Sequence, residues 1–313
     1  MMKRHALLLV NTGSPDTPEP DAVEQYLQEF LSDKRIVSLP RFFWKPLLEK
    51  FILPKRKKIS AKRYQSIWTE EGSPLVVLTS KISSKLQTKL GRNWDVFPAM
   101  RYGQPSVETL SQELLSRPYE RIVVFPLFPQ KASQTWGSVE DIVNAVSQEH
   151  EERGALQYVR PWYAHPRYIQ ALTQSVLSSG LDFRKTHLIM SFHGLPSRGA
   201  GEYEKQCRET ARLLTASLGL ENHEVSVAFQ SKFGFGKWLG PSLRDVLIEK
   251  AKNGKDSVAV ICPGFCVDCL ETLEEVAIGL KNDFLAHGGK SFTYIPALND
   301  SAEAIELYAE LAK

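Results

Sequence analysis

Short apolar runs, each followed by an amphipathic helical stretch, recur along this chain. That alternation restricts it to parallel sheets flanked by helices. Residues 6–10, 94–97 and 121–127 read as strands in the first half. Among them, Val23, Tyr26, Leu27, Phe30 and Leu31 recur at helical spacing behind Pro18 and Pro20, a helix runs through Leu86 and Leu90, and residues 107–115 form another. The order restarts at 158–161. Strands at 187–192, 225–229, 257–262 and 292–295 then alternate with helices at 168–177, 204–218, 243–251 and 302–312. The halves match in element order, which implies two similar α/β lobes with a cleft between them. A length of 313 residues and 42% hydrophobic content supply the core such a fold needs. Open α/β sheets bind ligands at the carboxyl ends of their strands, so the residues that follow each strand are the informative ones.

The stretch 258–280 is the densest of these. An apolar run at 258–261 is broken by Pro263-Gly264, and Leu270, Leu273, Ala277 and Leu280 then fall on one face of a helix. Asp268, Glu271 and Glu275, three and four residues apart, share another face, with Glu274 beside them. Acids in a first helical turn are ordinary, since the dipole favours them. Several acids facing a closed cavity need a proton or a cation to offset desolvation. His193 directly follows the apolar strand 187–192 and so lies at the same kind of edge. An imidazole opposite carboxylates is equipment for proton abstraction coupled to metal handling. The remaining histidines have weaker cases: His5 and His187 open strands, His165 precedes Pro166, and His150, His223 and His287 lie in polar runs.

Residues 36–58 carry Phe42, Phe43, Trp44, Leu47, Leu48, Phe51 and Ile52, followed by Lys55, Arg56, Lys57 and Lys58. Pro40, Pro46 and Pro54 divide the segment into short pieces. It reads either as a helical hairpin on the core or as an apolar lip beside a pocket for a flat ligand, with a basic edge for acidic head groups or ligand carboxylates. The glycine-rich loop 232–240 lacks the spacing of a dinucleotide fingerprint.

The formal net charge of +3 is too small to argue for nucleic acid. The apolar run at 5–10 is too short for a signal peptide, and none approaches the ~20 residues of a membrane span, so the expected location is the cytosol. Cys207, Cys262, Cys266 and Cys269 could together hold zinc or an iron–sulfur cluster, but their spacing matches no common cluster run, and buried thiols are the alternative. The residues alone thus define an α/β protein with a histidine/carboxylate site for a metal and an aromatic lip. They do not name a substrate.

SFHGLP at 191–196 and CPGFCVDCLETLEE at 262–275 closely resemble ferrochelatases. Further matches are LLLVNTGSPDTP at 7–18, EGSPL at 71–75, MRYG at 100–103, FPLFPQKASQTWGS at 125–138, FQSKFGFGKWLGPS at 229–242 and YIPALND at 294–300. The resemblance spans essentially the whole chain, in the form typical of Gram-negative bacteria. It implies two Rossmann-like lobes around a porphyrin cleft. Residues 1–155 would form the first lobe, carrying the lip and completed by a helix at 300–313; residues 156–299 would form the second. It further implies insertion of Fe²⁺ into protoporphyrin IX with release of two protons, the last step of haem synthesis. His193 and Glu271 would be the metal-site pair, Asp268 and Glu275 a proton or metal relay, and Phe265, Trp238, Met100 and Tyr102 the holders of the macrocycle. Iron is then a substrate and no tightly bound cofactor is expected. The resemblance also argues against a [2Fe–2S] cluster, which animal relatives hold in a C-terminal extension. The lip would give peripheral contact with the inner membrane. Two departures stand out: the loop 197–203 after the histidine motif is shorter than in many relatives, and Cys269 stands where animal relatives have histidine. Competing readings are a chelatase for coproporphyrin or another tetrapyrrole, and a porphyrin or haem carrier on the same fold. A carrier needs the lip but not the base, so His193 and Glu271 count against it.

Overall fold

In the computed structural model, which describes residues 4–148, 156–232 and 236–313, the chain divides into two units. Met1–Leu127, Ala132–Arg160 and Tyr308–Lys313 form one, and Phe128–Lys131 with Pro161–Leu307 the other. His150 and the middle of the glycine-rich loop, 233–235, lie outside the described residues.

The first unit is built on β1 (His5–Gly13), β2 (Trp94–Tyr102), β3 (Arg121–Pro126) and β4 (Leu156–Tyr158), in the order β2-β1-β3-β4, all parallel. β1 runs centrally, and Ala6 through Val10 are fully buried, as expected for a strand covered on both faces. Its helices are α1 (Pro20–Ser32), α2 (Arg41–Leu47), α3 (Leu53–Gln65), α4 (Pro74–Leu90), α5 (Val107–Ser116) and α6 (Ser138–Gln148). Leu8, Val10 and Val124 from the sheet pack with Val107, Leu114, Val139 and Val143 from the helices. Each such side chain contributes about 1.5–3 kcal/mol on burial.

Three sequence expectations change here. The strand expected at 94–97 continues through Pro98 to Tyr102, because β2 is an edge strand and an edge tolerates a proline's missing N–H. The three-residue strand at 156–158 pairs with β3 and closes the first sheet rather than opening the second. The prolines of the 36–58 segment do not break it. Pro40 precedes α2, and the chain stays helical through Gln65, with a π-turn at Leu48–Ile52 joining α2 to α3. In that turn the Leu53 N–H reaches back to the Leu48 carbonyl. The wider turn leaves room for the ring of Pro54, which would otherwise meet the carbonyl four residues earlier. Leu48 and Leu53 face inward, while Phe42, Phe43, Phe51 and Ile59 are exposed.

The second unit repeats the plan with β5 (His187–His193), β6 (Val225–Gln230), β7 (Ser257–Ile261) and β8 (Ser291–Ile295), order β6-β5-β7-β8, again all parallel. Helices α7 (Pro166–Ser178), α8 (Gly201–Leu218), α9 (Leu243–Lys252), α10 (Lys281–Ala286) and the start of α11 (Ala302–Leu311) belong to it, with a ten-residue π-helix at Glu271–Leu280. Ile189, Val258 and Val260 pack against Leu243, Leu247, Val276 and Phe284. Among the described residues no helix is long and apolar enough to cross a membrane.

At the amino end of β5, away from the strand ends discussed below, His187 is buried, with Nε2 2.8 Å from Ser226 Oγ and Nδ1 without a partner. Burial, aided by Lys250, Lys255 and His223, pulls its pKa down to about 4. As pH falls below its ordinary value of about 6.5, the unfolded chain takes up a proton that the folded chain refuses. Stability should therefore hold above that pH and decline from there to about 4, by roughly 3 kcal/mol at most. Urea unfolding at both ends of the window measures this. His187→Gln should flatten the slope, and an unchanged slope would clear His187 of the effect.

Candidate active site

The carboxyl ends of β5, β6 and β7 bring together residues that are far apart in sequence. His193 is the last residue of β5 and pairs with Gln230, the last of β6. Gly194 then donates its N–H to the Gln230 carbonyl at 2.7 Å. A Cβ at 194 would sit 2.6 Å from that carbonyl oxygen, so only glycine lets the chain turn this close to β6. The Tyr203 hydroxyl, from the first turn of α8, donates to the His193 carbonyl at 3.0 Å. The His193 backbone is therefore held from both sides.

β7 ends at Ile261, and Cys262-Pro263-Gly264 turns the chain toward the π-helix that begins at Glu271. The π winding, rare at this length and frequent at functional sites, alters the expected faces. Thr272, Val276 and Leu280 are the buried stripe, whereas Leu273 and Ala277 keep partial exposure. Hydrogen bonds of the i→i+5 type widen the turn and bring residues four apart closer to alignment.

The expected site residues separate into three groups. His193, Glu271, Glu275 and Phe265 are together. The Glu271 carboxylate favours the protonated His193 ring, but burial outweighs it and holds the imidazole below its ordinary pKa, so the ring is neutral at pH 7. Phe265 packs on the second-unit core and meets the His193 ring edge-on, with centroids 6.3 Å apart and planes at 70°. Glu275 accepts from the Ser231 N–H at 2.7 Å and the Ser231 hydroxyl at 2.5 Å. Burial pushes its carboxyl up, Ser231 opposes this, and Glu271 and Glu274 add to it. Trp238 is tied to this group through its backbone. Pro196 and Trp238 form an antiparallel bridge, Ser197 N–H donates to Lys237 O and Leu239 N–H to Leu195 O, both at 2.9 Å.

Asp268 takes a different position. It lies ahead of the π-helix, and its oxygens are occupied: Thr272 Oγ1 donates at 3.0 Å, Tyr294 Oη at 2.6 Å, Asn299 Nδ2 at 2.7 Å and the Ala297 N–H at 3.3 Å. A carboxylate so saturated is a joint between β8, the residues after it and the π-helix. Those bonds give Asp268 a structural role beside the relay role expected of it.

Met100 and Tyr102 lie elsewhere, in the first unit. Because β2 continues past Pro98, both sit inside a strand, paired with Asn11 and Gly13, at 0% and 1% exposure. They have no surface to offer a macrocycle. The Tyr102 hydroxyl instead donates to Asp33 Oδ2 at 2.8 Å, and Arg101 and Ser138 bond the same oxygen. Asp33 closes α1 where the lip segment departs, so Tyr102 braces the root of the lip.

Among the described residues no three His, Cys, Asp or Glu side chains are placed to hold a metal together. The four cysteines are buried and not disulfide-bonded. Burial pushes the Cys207, Cys262 and Cys269 thiols up, keeping them protonated at neutral pH. Gln230 and Ser231 fall inside the match at 229–242, but nothing in it marks these roles, which come from their places: Gln230 closes β6 at the edge that His193 shares, Ser231 follows it, and Tyr203 lies in the first turn of α8.

Two units, each built on a parallel four-stranded sheet flanked by helices, have the fold of a chelatase-type α/β protein. The fold matches SirB from Bacillus subtilis solved with Fe³⁺, at TM-score 0.58 and 12% identity over 99% of this chain and 96% of that one. It also matches the sirohydrochlorin chelatase SirB of the subspecies spizizenii in complex with cobalt, at TM-score 0.54 and 13% identity over 99% and 94%. A sequence model of the ferrochelatase family matches residues 4–313. Ferrochelatase 1 of Shewanella oneidensis is 44% identical over 96% of this chain and 92% of its own, and the ferrochelatase of Vibrio atlanticus is 41% identical over 99% and 97%. The chain belongs to the ferrochelatase family and is a metal-chelating lyase.

Proposed function

We infer that this enzyme inserts Fe²⁺ into protoporphyrin IX, releasing two protons and giving protohaem, the terminal step of haem biosynthesis. The observation that carries the reading is His193 and Glu271 brought together at the second sheet's carboxyl edge in a chain that is ferrochelatase-like from end to end. Two pyrrole N–H protons must leave as a dication enters. A neutral imidazole has a lone pair free to accept a proton or touch the metal, and the Glu271 carboxylate supplies negative charge beside it. Glu275, whose raised pKa keeps it closer to exchanging protons near neutrality, is the candidate to pass protons toward solvent. Phe265 offers an apolar edge to a macrocycle over His193, and Trp238 is carried beside the same loop. Holding the macrocycle bent would aim its nitrogen lone pairs at the metal, with binding energy going into distortion. Two donors with open positions suit a metal that is a substrate and must leave.

The exposed Leu39, Phe42, Phe43 and Phe51, interspersed with Arg41, Lys45, Lys50 and Lys55, support peripheral contact of this segment with an anionic membrane surface.

The test is anaerobic absorbance of the protein with Fe²⁺ and either protoporphyrin IX or coproporphyrin III. Catalytic loss of the free-porphyrin bands is expected with protoporphyrin. Turnover only with coproporphyrin would change the substrate and keep the chemistry. Stoichiometric binding without insertion would leave a carrier.

A further inference from the structure

Gln230 is polar, only 3% exposed, and central to the site without being part of the proposed chemistry. Its Oε1 accepts from the Ser191 hydroxyl of β5 at 2.7 Å and from the Cys262 thiol beyond β7 at 3.3 Å. Its Nε2 donates to the Glu271 carbonyl at 3.0 Å. That carbonyl can only accept, so it fixes which way the amide points. Its own backbone carbonyl takes the Gly194 N–H. One residue thus bonds the strand that ends in His193, the loop that leads to the π-helix, and the first residue of that helix. The next residue, Ser231, holds Glu275 one turn further along, from a left-handed backbone with φ of 63°.

We propose that Gln230 is a positioning residue for metal insertion: by bonding Ser191 and Glu271 at once, it sets the distance between the His193 imidazole and the Glu271 carboxylate. The inference rests on the metal-site reading above. A core amide that merely filled space would bond within one element or between two strands. This one bridges the strand that ends in His193 and the π-helix, and its donor goes to the backbone of Glu271 itself. A buried amide so satisfied also admits no apolar isostere without orphaning the groups around it. Its effect on the reaction runs through geometry, since a displacement near 1 Å in a reacting constellation costs on the order of a hundredfold.

Initial rates of Fe²⁺ insertion into protoporphyrin IX, with each substrate varied, test the inference in Gln230→Met and Gln230→Glu. Porphyrin affinity by fluorescence and thermal unfolding are measured alongside. Gln230→Glu keeps the acceptor for Ser191 and Cys262 and loses the donor to Glu271. Both variants should lose kcat by about 10- to 100-fold, with porphyrin affinity within about twofold and the protein folded at assay temperature. Adding Gln230→Met to Glu271→Gln should cost little more, because once the carboxylate charge is gone its placement no longer matters. Losses that multiply in the double variant, or porphyrin affinity that falls with kcat, would mean a general structural role and overturn the inference. Glu271→Gln inactive with Gln230→Met at the wild-type rate overturns the inference alone. Glu271→Gln at the wild-type rate overturns the metal-site reading and the inference with it.

Discussion

Replacing His193 by alanine should lower Fe²⁺ insertion by about 10²–10⁴-fold while protoporphyrin IX still binds. The range is that of removing a general acid–base group. The prediction follows from three features of the ring. It ends a strand whose six preceding residues are all buried, so its backbone is anchored independently of the side chain. Burial keeps it neutral at pH 7, which leaves a nitrogen lone pair to give. And Phe265, the aromatic at its edge, is anchored on the core independently of it, so the apolar contact for a macrocycle survives. Anaerobic initial rates and quenching of porphyrin fluorescence separate the two effects. Unchanged insertion would remove His193 from the mechanism, and loss of binding in step with turnover would make it a wall of the site rather than a base.

Replacing Asp268 by alanine should act through stability instead. Four donors converge on this carboxylate: Thr272, Tyr294, Asn299 and the Ala297 N–H. Truncation leaves buried donors without a partner, each costing about 1–3 kcal/mol. The sum should be about 3 kcal/mol or more, among the larger single-residue effects a domain shows. Chemical denaturation measures it. Asp268→Asn keeps an acceptor oxygen and should lose less, although its amide N–H would face donors on one side. A fully stable Asp268→Asn protein that no longer inserts iron would favour the relay role and overturn the structural one.

Much of this architecture was legible because burial leaves a plain signature. The continuous apolar runs of β1, β3, β5 and β7 place the strand ends, and a histidine directly after such a run had few other places to be. What was hidden depended on neighbours. Pro98 looks like a stop, and only the edge position of β2 shows why it is not, which in turn explains why Met100 and Tyr102 are core. Pro46 and Pro54 look like breaks, and a π-turn absorbs Pro54. The acids at 268, 271 and 275 fit one helical face on paper. The helix starts after Asp268 and winds more widely, so Asp268 meets Asn299 and Tyr294, residues about thirty positions away that no local spacing announces. Gln230 escaped for the same reason: its importance lies in three long-range bonds, and an amide at a strand end has no periodicity.

The interlock between residues 195–197 and 237–239 bears on how this enzyme can be recombined with its relatives. The two segments share a bridge and a pair of backbone hydrogen bonds, and one of them begins two residues after His193. A chimera that imports the tryptophan loop alone would inherit a seam cut for a different partner, and the mismatch would arrive at the histidine. Exchanged together, the segments after β5 and β6 form a transferable cassette. The segment after the histidine is then best viewed as half of a matched pair.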